Sequence, residues 1–462
     1  MRELLRKNLR FFLLATLAAV ALRILFILRF AGVTSDSFVY GDIAKNWLQH
    51  RIYGLSGVDA ISPTYIRLPG YPAFLAVVFA VFGMEHYRAA LVLQMFVDLG
   101  TCFLIADLAR RLISPRAARI AFLLAALCPF LANYVANALT ETLEVFFTVL
   151  ALDFAIVGLE TLQDSMKPWA GCGLAVGAAI LLRPDGALLL LALEAYLFVL
   201  LMRLWKQTTL DGVSARHVFK AGVILLVTAL TTLVPWTLRN LHTLHEFQPL
   251  APRYANEENA FVPMGFNRWV KTWIVDYASV EEIYWAVPGN TVAAEKLPSR
   301  AFDSPPQREQ TIQLLEDYND ALHVTPDLDA RFAALAAERM HHSPLRYYVR
   351  LPLIRIADMW LRPRTETLPP DSRWWEFDDD PEWLVLAVSL GIVNLVYVGA
   401  AFAGLVRGRF APHLGLLLTF VILRSVFLGT LENPEPRYTL ECYPVLIVLA
   451  AALFQEKHRL HS

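Results

Sequence analysis

Between Phe11 and Ala31 the only charged side chains are Arg23 and Arg29, and apolar runs of this kind recur to the end of the chain. A helix of about twenty such residues crosses a bilayer, so each run is a candidate span. The runs are Phe11 to Ala31, Tyr87 to Ala109, Ile120 to Ala132, Glu141 to Val157, Trp169 to Leu182, Ala187 to Met202, His217 to Trp236, Trp383 to Leu405, Leu414 to Leu428 and Leu440 to Phe454. They predict an all-α polytopic membrane protein of about ten transmembrane helices. Composition agrees, because 56% hydrophobic and 18% charged residues over a 462-residue chain are too apolar for a water-soluble enzyme of that size. A formal net charge of −1 with no basic tract excludes a nucleic-acid partner.

Basic clusters orient the spans. Arg2, Arg6, Lys7 and Arg10 precede the first run, and Arg110, Arg111, Arg116 and Arg119 follow the second, so both ends face the cytoplasm. Ala73 to Gly83 is apolar but about half the length of a span. As a full span it would turn those four arginines outward, and it reads instead as a re-entrant or interfacial helix. Arg203 and Lys206, then Arg407 and Arg409, mark further inner turns. A cleaved leader is the rival reading of the N-terminus, but Arg23 and Arg29 interrupt the run and an uncleaved anchor is expected. Both termini then lie inside, with three regions: 1–237, a transmembrane module carrying an external loop at 34–72; 238–381, an external periplasmic region with an interfacial helix; and 382–462, the C-terminal spans. A reporter after Lys206 or at Ser462 is expected in the cytoplasm and one near Gly289 outside. Cys102, Cys128, Cys172 and Cys442 lack metal-ligand spacing and read as small core residues.

The stretch from Thr34 to Pro72 cannot sit in hydrocarbon, for it holds three acids, two arginines, a lysine, four tyrosines and three prolines. Asp36, Tyr40, Ala44 and Trp47 recur at helical spacing and give a helix with a carboxylate and a phenol at its start. Arg67 arrives just before Pro69-Gly70-Tyr71-Pro72, a turn fixed by its prolines. An N-cap is the plain use of Asp36, and a snorkelling cation that of Arg67. Asp42 falls on a different helix face.

The pattern Asp36-x3-Tyr40-x3-Ala44, Tyr53-Gly54, Arg67-x-Pro69-Gly70-Tyr71-Pro72 resembles the first external loop of GT-C fold glycosyltransferases. The likeness is to the bacterial branch related to protein O-mannosyltransferases and to the lipid A aminoarabinose transferase. It implies that Asp36 is the catalytic base or a metal-associated carboxylate, and that Arg67 binds the donor phosphate with Tyr40 beside it. Glu141 resembles the acid opening the family's fourth helix. Arg183-Pro184-Asp185-Gly186 resembles a Thr-Arg-Pro-Glu-Gly break, with Leu182 where threonine is common. Arg437-Tyr438, before the last span, resembles the Arg-Tyr motif that supplies a second phosphate contact. The same resemblance implies a polyprenyl-phosphate-linked sugar donor, a glycan, lipid or protein acceptor, and a bacterial inner membrane with the site facing the periplasm. Whether a divalent cation takes part is left open.

Each residue has a plainer use: a dipole-favoured helix start for Glu141, a turn pair with Asp185 for Arg183, and an interfacial anchor for Arg437 and Tyr438. Arg23 reads as a bundle-facing partner and Arg29 as a snorkeller. His341-His342 reads as a solvated helix end, and Trp269 and Trp273 as aromatic core. Asp327 to Met340 reads as an amphipathic helix, and Leu345 to Leu361, with Arg346, Arg350 and Arg355, as an interfacial one. The expected activity is transfer of a sugar from a polyprenyl-phosphate carrier to an acceptor outside the membrane, by inverting displacement. The alternative is a multi-pass lipid or solute transporter or flippase with an external domain. That class is expected to show paired broken helices in repeated halves, and the sequence shows one break and no repeat. A third reading, a non-catalytic envelope assembly protein, leaves Asp36 and Arg67 replaceable.

Overall fold

A computed structural model describes residues 1–206, 214–257, 260–376, 381–408 and 411–455. From the N-terminus, α1 (Arg2–Lys7) and α2 (Leu9–Phe30) lead to α3 (Ser35–His50). An antiparallel hairpin, β1 (Gly54–Ser56) and β2 (Ile61–Pro63), pairs Gly54 with Pro63 and precedes α4 (Gly70–Phe82). Then come α5 (Tyr87–Leu112), α6 (Pro115–Ala126), α7 (Pro129–Val135), α8 (Glu141–Glu160), α9 (Lys167–Leu182), α10 (Ala187–Lys206) and α11 (Ala215–Leu244). The polar region holds α12 (Met264–Lys271), α13 (Tyr277–Ser279), α14 (Pro305–Ala321), α15 (Pro326–His342) and α16 (Leu351–Leu361). The chain ends with α17 (Pro381–Gly408), α18 (Leu414–Gly429) and α19 (Tyr443–Ala451).

All ten predicted spans are helical, but they are not equal in length. Among the described residues seven helices are long and apolar enough to cross a membrane, or eight if the bent pair α6 and α7 is one span. α9 and α18 are apolar but shorter, and α9 is cut off by the Arg183–Gly186 break. α4 is short, as its run predicts. Asn133 lies inside α7, because Pro129 starts a fresh helix after the break. Arg409 and the basic tail after Phe454 lie outside the described residues.

The chain divides into two units, Met1–Glu258 with Val396–Leu423 and Leu440–Ser462, and Asn259–Leu395 with Arg424–Thr439. In the first, α6 and α7 meet at 50°. A break inside a membrane exposes carbonyls that lipid cannot satisfy. Arg23, fully buried on α2, supplies the donors: it bonds Asp98 at 2.8 Å, Ala125 O at 3.0 Å, and Ala126 O. The bundle-facing reading of Arg23 holds, and its partner is the lone acid in the middle of α5. Further along, Gly173 and Gly177 let α9 lie directly on α11, where added side-chain atoms would collide with Thr228 and Thr232.

The basic clusters share one end of this unit. Arg119 bonds Asn8 at 3.1 Å, the N-terminal amine lies 3.8 Å from Asp107, and Asp107 also takes Arg110 and Arg111. Arg111 reaches Glu160 as well, so the turn after α8 belongs to the same end.

The second unit has a water-soluble type of core. Trp269, Trp273, Leu315, Tyr318 and Phe332 are buried together between α12, α14 and α15, the aromatic-core use expected of the tryptophans. His341 and His342 are the exposed last residues of α15.

Candidate active site

The first unit's loop is built so that Asp36 and Arg67 meet. Gly32, at the end of α2, exchanges backbone hydrogen bonds with Ala136 and Ala138, so the start of α3 is pinned beside the start of α8. α3 is then capped by Thr34 and Ser37, each side chain serving the other's backbone end. The cap expected of Asp36 is therefore already provided, and Asp36 sits one residue inside the helix with its carboxylate directed to Arg67 at 2.9 Å.

Arg67 is positioned by its neighbours. Tyr53 donates to the Arg67 carbonyl at 2.9 Å, and Arg239, packed against the Tyr53 and Trp236 rings, donates to the carbonyls of Tyr53 and Thr64. On the other side Gly70 is obligatory, because Leu181 O passes 2.6 Å from where its Cβ would stand. That contact ties the Pro-Gly-Tyr-Pro turn to the end of α9, immediately before Arg183. Tyr71 donates to Gln94 at 2.7 Å, and Gln94 donates to the carbonyls of Val135 and Asn137, which joins α4, α5 and the turn before Glu141.

Arg183 faces three carboxylates, Asp185 at 3.2 Å, Glu141 at 3.3 Å and Glu144 at 3.5 Å. The turn pairing with Asp185 is real, but it is one of three. Both glutamates are buried on the first turn of α8. Glu144 was not singled out from sequence, although its spacing of three from Glu141 places it on the same helix face.

Tyr40 is the common centre of these groups. Its ring lies under the Arg67 guanidinium at 5.8 Å and edge-on to Tyr71 at 5.2 Å. Burial pushes its phenol up to about 12, the charges of Asp36 and Glu141 push the same way, and Arg67 and Arg183 oppose them. The other four residues expected in this part of the site, Asp36, Arg67, Glu141 and Arg183, therefore all act on one buried phenol, which keeps its proton at neutral pH. Asp42, by contrast, bonds the backbone and hydroxyl of Ser56, both at 2.7 Å, and so fastens the hairpin to α3.

Arg437 and Tyr438 belong to the second unit. Arg437 pairs with the buried Glu435 and lies 5.3 Å over the Tyr438 ring, while Tyr438 and Asn433 donate to the same carboxylate. Two buried arginines missed in the sequence brace this turn through its backbone: Arg364 donates to Pro436 O, and Arg424 to Tyr438 O.

Among the described residues no three His, Cys, Asp or Glu side chains converge as a metal-holding set. Asp36, Glu141, Glu144 and Asp185 each meet a guanidinium instead.

A set of apolar helices with this charged loop after the first one makes an all-α polytopic membrane protein, and the solved structures it resembles are of the GT-C fold. Residues 64–236, which include Arg67, Glu141 and Arg183, match the family model described as dolichyl-phosphate-mannose-protein mannosyltransferase. The oligosaccharyltransferase of Archaeoglobus fulgidus in the apo form is similar with a TM-score of 0.50 and 14% identity, over 96% of this chain and 50% of that one. The AglB oligosaccharyltransferase from the same organism, in complex with an inhibitory peptide and a dolichol-phosphate, gives 0.49 at 13% identity over 97% and 50%. ArnT from Cupriavidus metallidurans bound to undecaprenyl phosphate gives 0.42 at 14% identity over 96% and 77%. At such identities the likeness is one of fold, and the chain spans about half the length of the oligosaccharyltransferases. None of the curated proteins matches the sequence.

Proposed function

We propose that the protein is a glycosyltransferase that moves a sugar from a polyprenyl-phosphate carrier to an acceptor hydroxyl, at the membrane face opposite its basic end. In a bacterium that face is the periplasmic side of the inner membrane. The observation that carries the reading is the Asp36–Arg67 pair over Tyr40, built into the loop that follows the first apolar helix.

The acceptor oxygen attacks the anomeric carbon as its proton passes to the Asp36 carboxylate. The bond from that carbon to the phosphate oxygen breaks, the polyprenyl phosphate leaves with the electron pair, and configuration inverts. Leaving-group charge then develops near a guanidinium, whose planar fork suits phosphate. Arg67 serves this role better than Arg183, because Arg183 already faces three carboxylates whereas Arg67 faces one among the ion pairs given above. Arg183 is the post that orients Glu141 and Glu144, and Arg437 is a second phosphate contact.

Purified protein in lipid vesicles, given polyprenyl-phosphate sugars and envelope extracts, is expected to release polyprenyl phosphate as sugar appears on an acceptor. Mass spectrometry of envelope glycans and glycolipids from cells with and without the protein identifies that acceptor. Identical glycan profiles, together with no release from any donor, reject the reading. Reporters after Lys206 and near Gly289 test the sidedness separately.

A further inference from the structure

The helix at 346–361, a π turn over Arg346–Arg350 continued by α16, has its faces reversed with respect to water. Its inward face carries Leu351, Met359 and the fully buried Arg355. Its outward face carries Leu345, Tyr348, Val349, Leu353, Ile354 and Leu361, with Leu345 77%, Tyr348 69% and Leu353 59% exposed. A stripe of this length facing water would be a large exposed apolar patch.

What α16 packs against sets its level. Trp360 Nε1 donates to Ser425 Oγ at 3.1 Å, Met359 clusters with Leu428, and Pro352 and Ile356 lie against Gly429, all in the last turns of α18. Asn394, well inside the apolar α17, donates to the carbonyls of Trp360 at 2.9 Å and Arg362 at 3.0 Å, at the end of α16. Arg355 does the same for Ile274, Lys271 and Gly429. Buried donors to these carbonyls suit a hydrocarbon surrounding, which supplies none of its own. The two neighbours also expose apolar residues, Val385, Val388 and Ile392 on α17, and Val426 and Phe427 on α18.

We infer that residues 345–361 form a lipid-embedded anchor whose apolar stripe contacts the acyl chains of one leaflet, while the exposed Arg350 reaches the headgroup phosphates. At roughly 24 Å, the sixteen residues from Arg346 are too short to span. The partner is the bilayer itself, recognised by area and depth rather than by any sugar.

The test uses the full-length protein in phosphatidylcholine and phosphatidylglycerol vesicles, with a bimane label on Leu353→Cys or Leu345→Cys. The four native cysteines are buried. Val58→Cys, in the exposed tip of the first loop, is the water-facing reference. Doxyl-labelled lipids are expected to quench both anchor sites at least twofold more than the reference, and aqueous iodide to show the opposite order. Iodide quenching at Leu353→Cys equal to the reference overturns the anchor. Protection from both quenchers, with cross-links between copies, assigns the stripe to a second copy of the chain and overturns it equally. Loss of sugar transfer leaves these readouts unaffected, so failure here and failure of the proposed activity are distinguishable.

Discussion

The loop after the first span and the turn before the last one carry the same trio, an arginine, a carboxylate and a tyrosine ring under the guanidinium. In the loop these are Arg67, Asp36 and Tyr40; in the turn, Arg437, Glu435 and Tyr438. Burial separates them. The Asp36 side chain is 32% exposed, whereas that of Glu435 is 2% exposed and receives Arg437, Tyr438 and Asn433 together. A carboxylate held by three donors is a structural acceptor, while one that keeps a solvent-facing side can take a proton from a substrate. Residue type alone does not assign the role; access does.

The largest effect that this contrast predicts is at the two acids. Asp36→Asn is expected to fold normally, since Thr34 and Ser37 cap the helix, and to lose turnover by roughly 10²–10⁴-fold in a labelled-donor assay. Glu435→Gln is expected to lower the melting temperature while the chemical step in the surviving fraction stays close to the parent. Equal loss of turnover in two well-folded variants would erase the distinction.

Next come the arginines. Arg67→Ala is expected to raise the donor KM by about ten- to a hundredfold, the loss of one charge-assisted phosphate bond at roughly 1.5–3 kcal/mol. Arg437→Ala is expected to weaken donor use as well, but with a fall in stability, because Glu435 is left buried with its charge less well compensated. A melting curve unchanged by Arg437→Ala would show that the turn does not depend on the pair.

Tyr40 gives a pH test. Its folded-state pKa of about 12 lies above the ordinary value of 10, so the folded protein holds the phenolic proton more tightly than the unfolded chain. The associated stability is complete below pH 10 and is lost between pH 10 and 12, by about 2–3 kcal/mol at most. Tyr40→Phe is expected to remove that part of the alkaline loss in denaturant titrations. An unchanged alkaline profile would place Tyr40 in a more open setting than the one described.

The smallest effect belongs to Glu366, a useful opposite of Glu435. Among the described residues both its carboxylate oxygens are covered without a hydrogen-bond partner, and burial pushes its pKa up against the pull of Arg364. Glu366→Gln is expected to raise the melting temperature by a few degrees at pH 7. The gain shrinks toward pH 4, where the unfolded chain also holds that proton. A lower melting temperature at pH 7 would mean that the charge is compensated after all.

The spans were legible because length and apolar composition are one-dimensional signals, and basic clusters add a direction to each. The candidate site was legible in part. Asp36, Tyr40 and Arg67 share one loop, so spacing and turn chemistry bring them out. Glu144 was hidden in an apolar helix start, and Asp98 in the middle of α5, because each is explained by an arginine far away in the chain, Arg183 and Arg23. The cap on α3 was misread for a related reason. Thr34, Ser37 and Asp36 all have capping side chains, and only the geometry shows which pair closes the box. Arg364 and Arg424 act through backbone carbonyls, for which a sequence carries no mark.

The 2.9 Å contact between Asp36 and Arg67 bears on timing as well as on placement. While the guanidinium rests on the carboxylate, each neutralises the other, and an acceptor arriving first meets a muted base. A phosphate that draws the guanidinium away leaves the carboxylate with its full charge at the moment a sugar is in place to be attacked. On the proposed chemistry the enzyme fills in a compulsory order, carrier before acceptor, and acceptor analogues should appear uncompetitive against the carrier in steady-state kinetics.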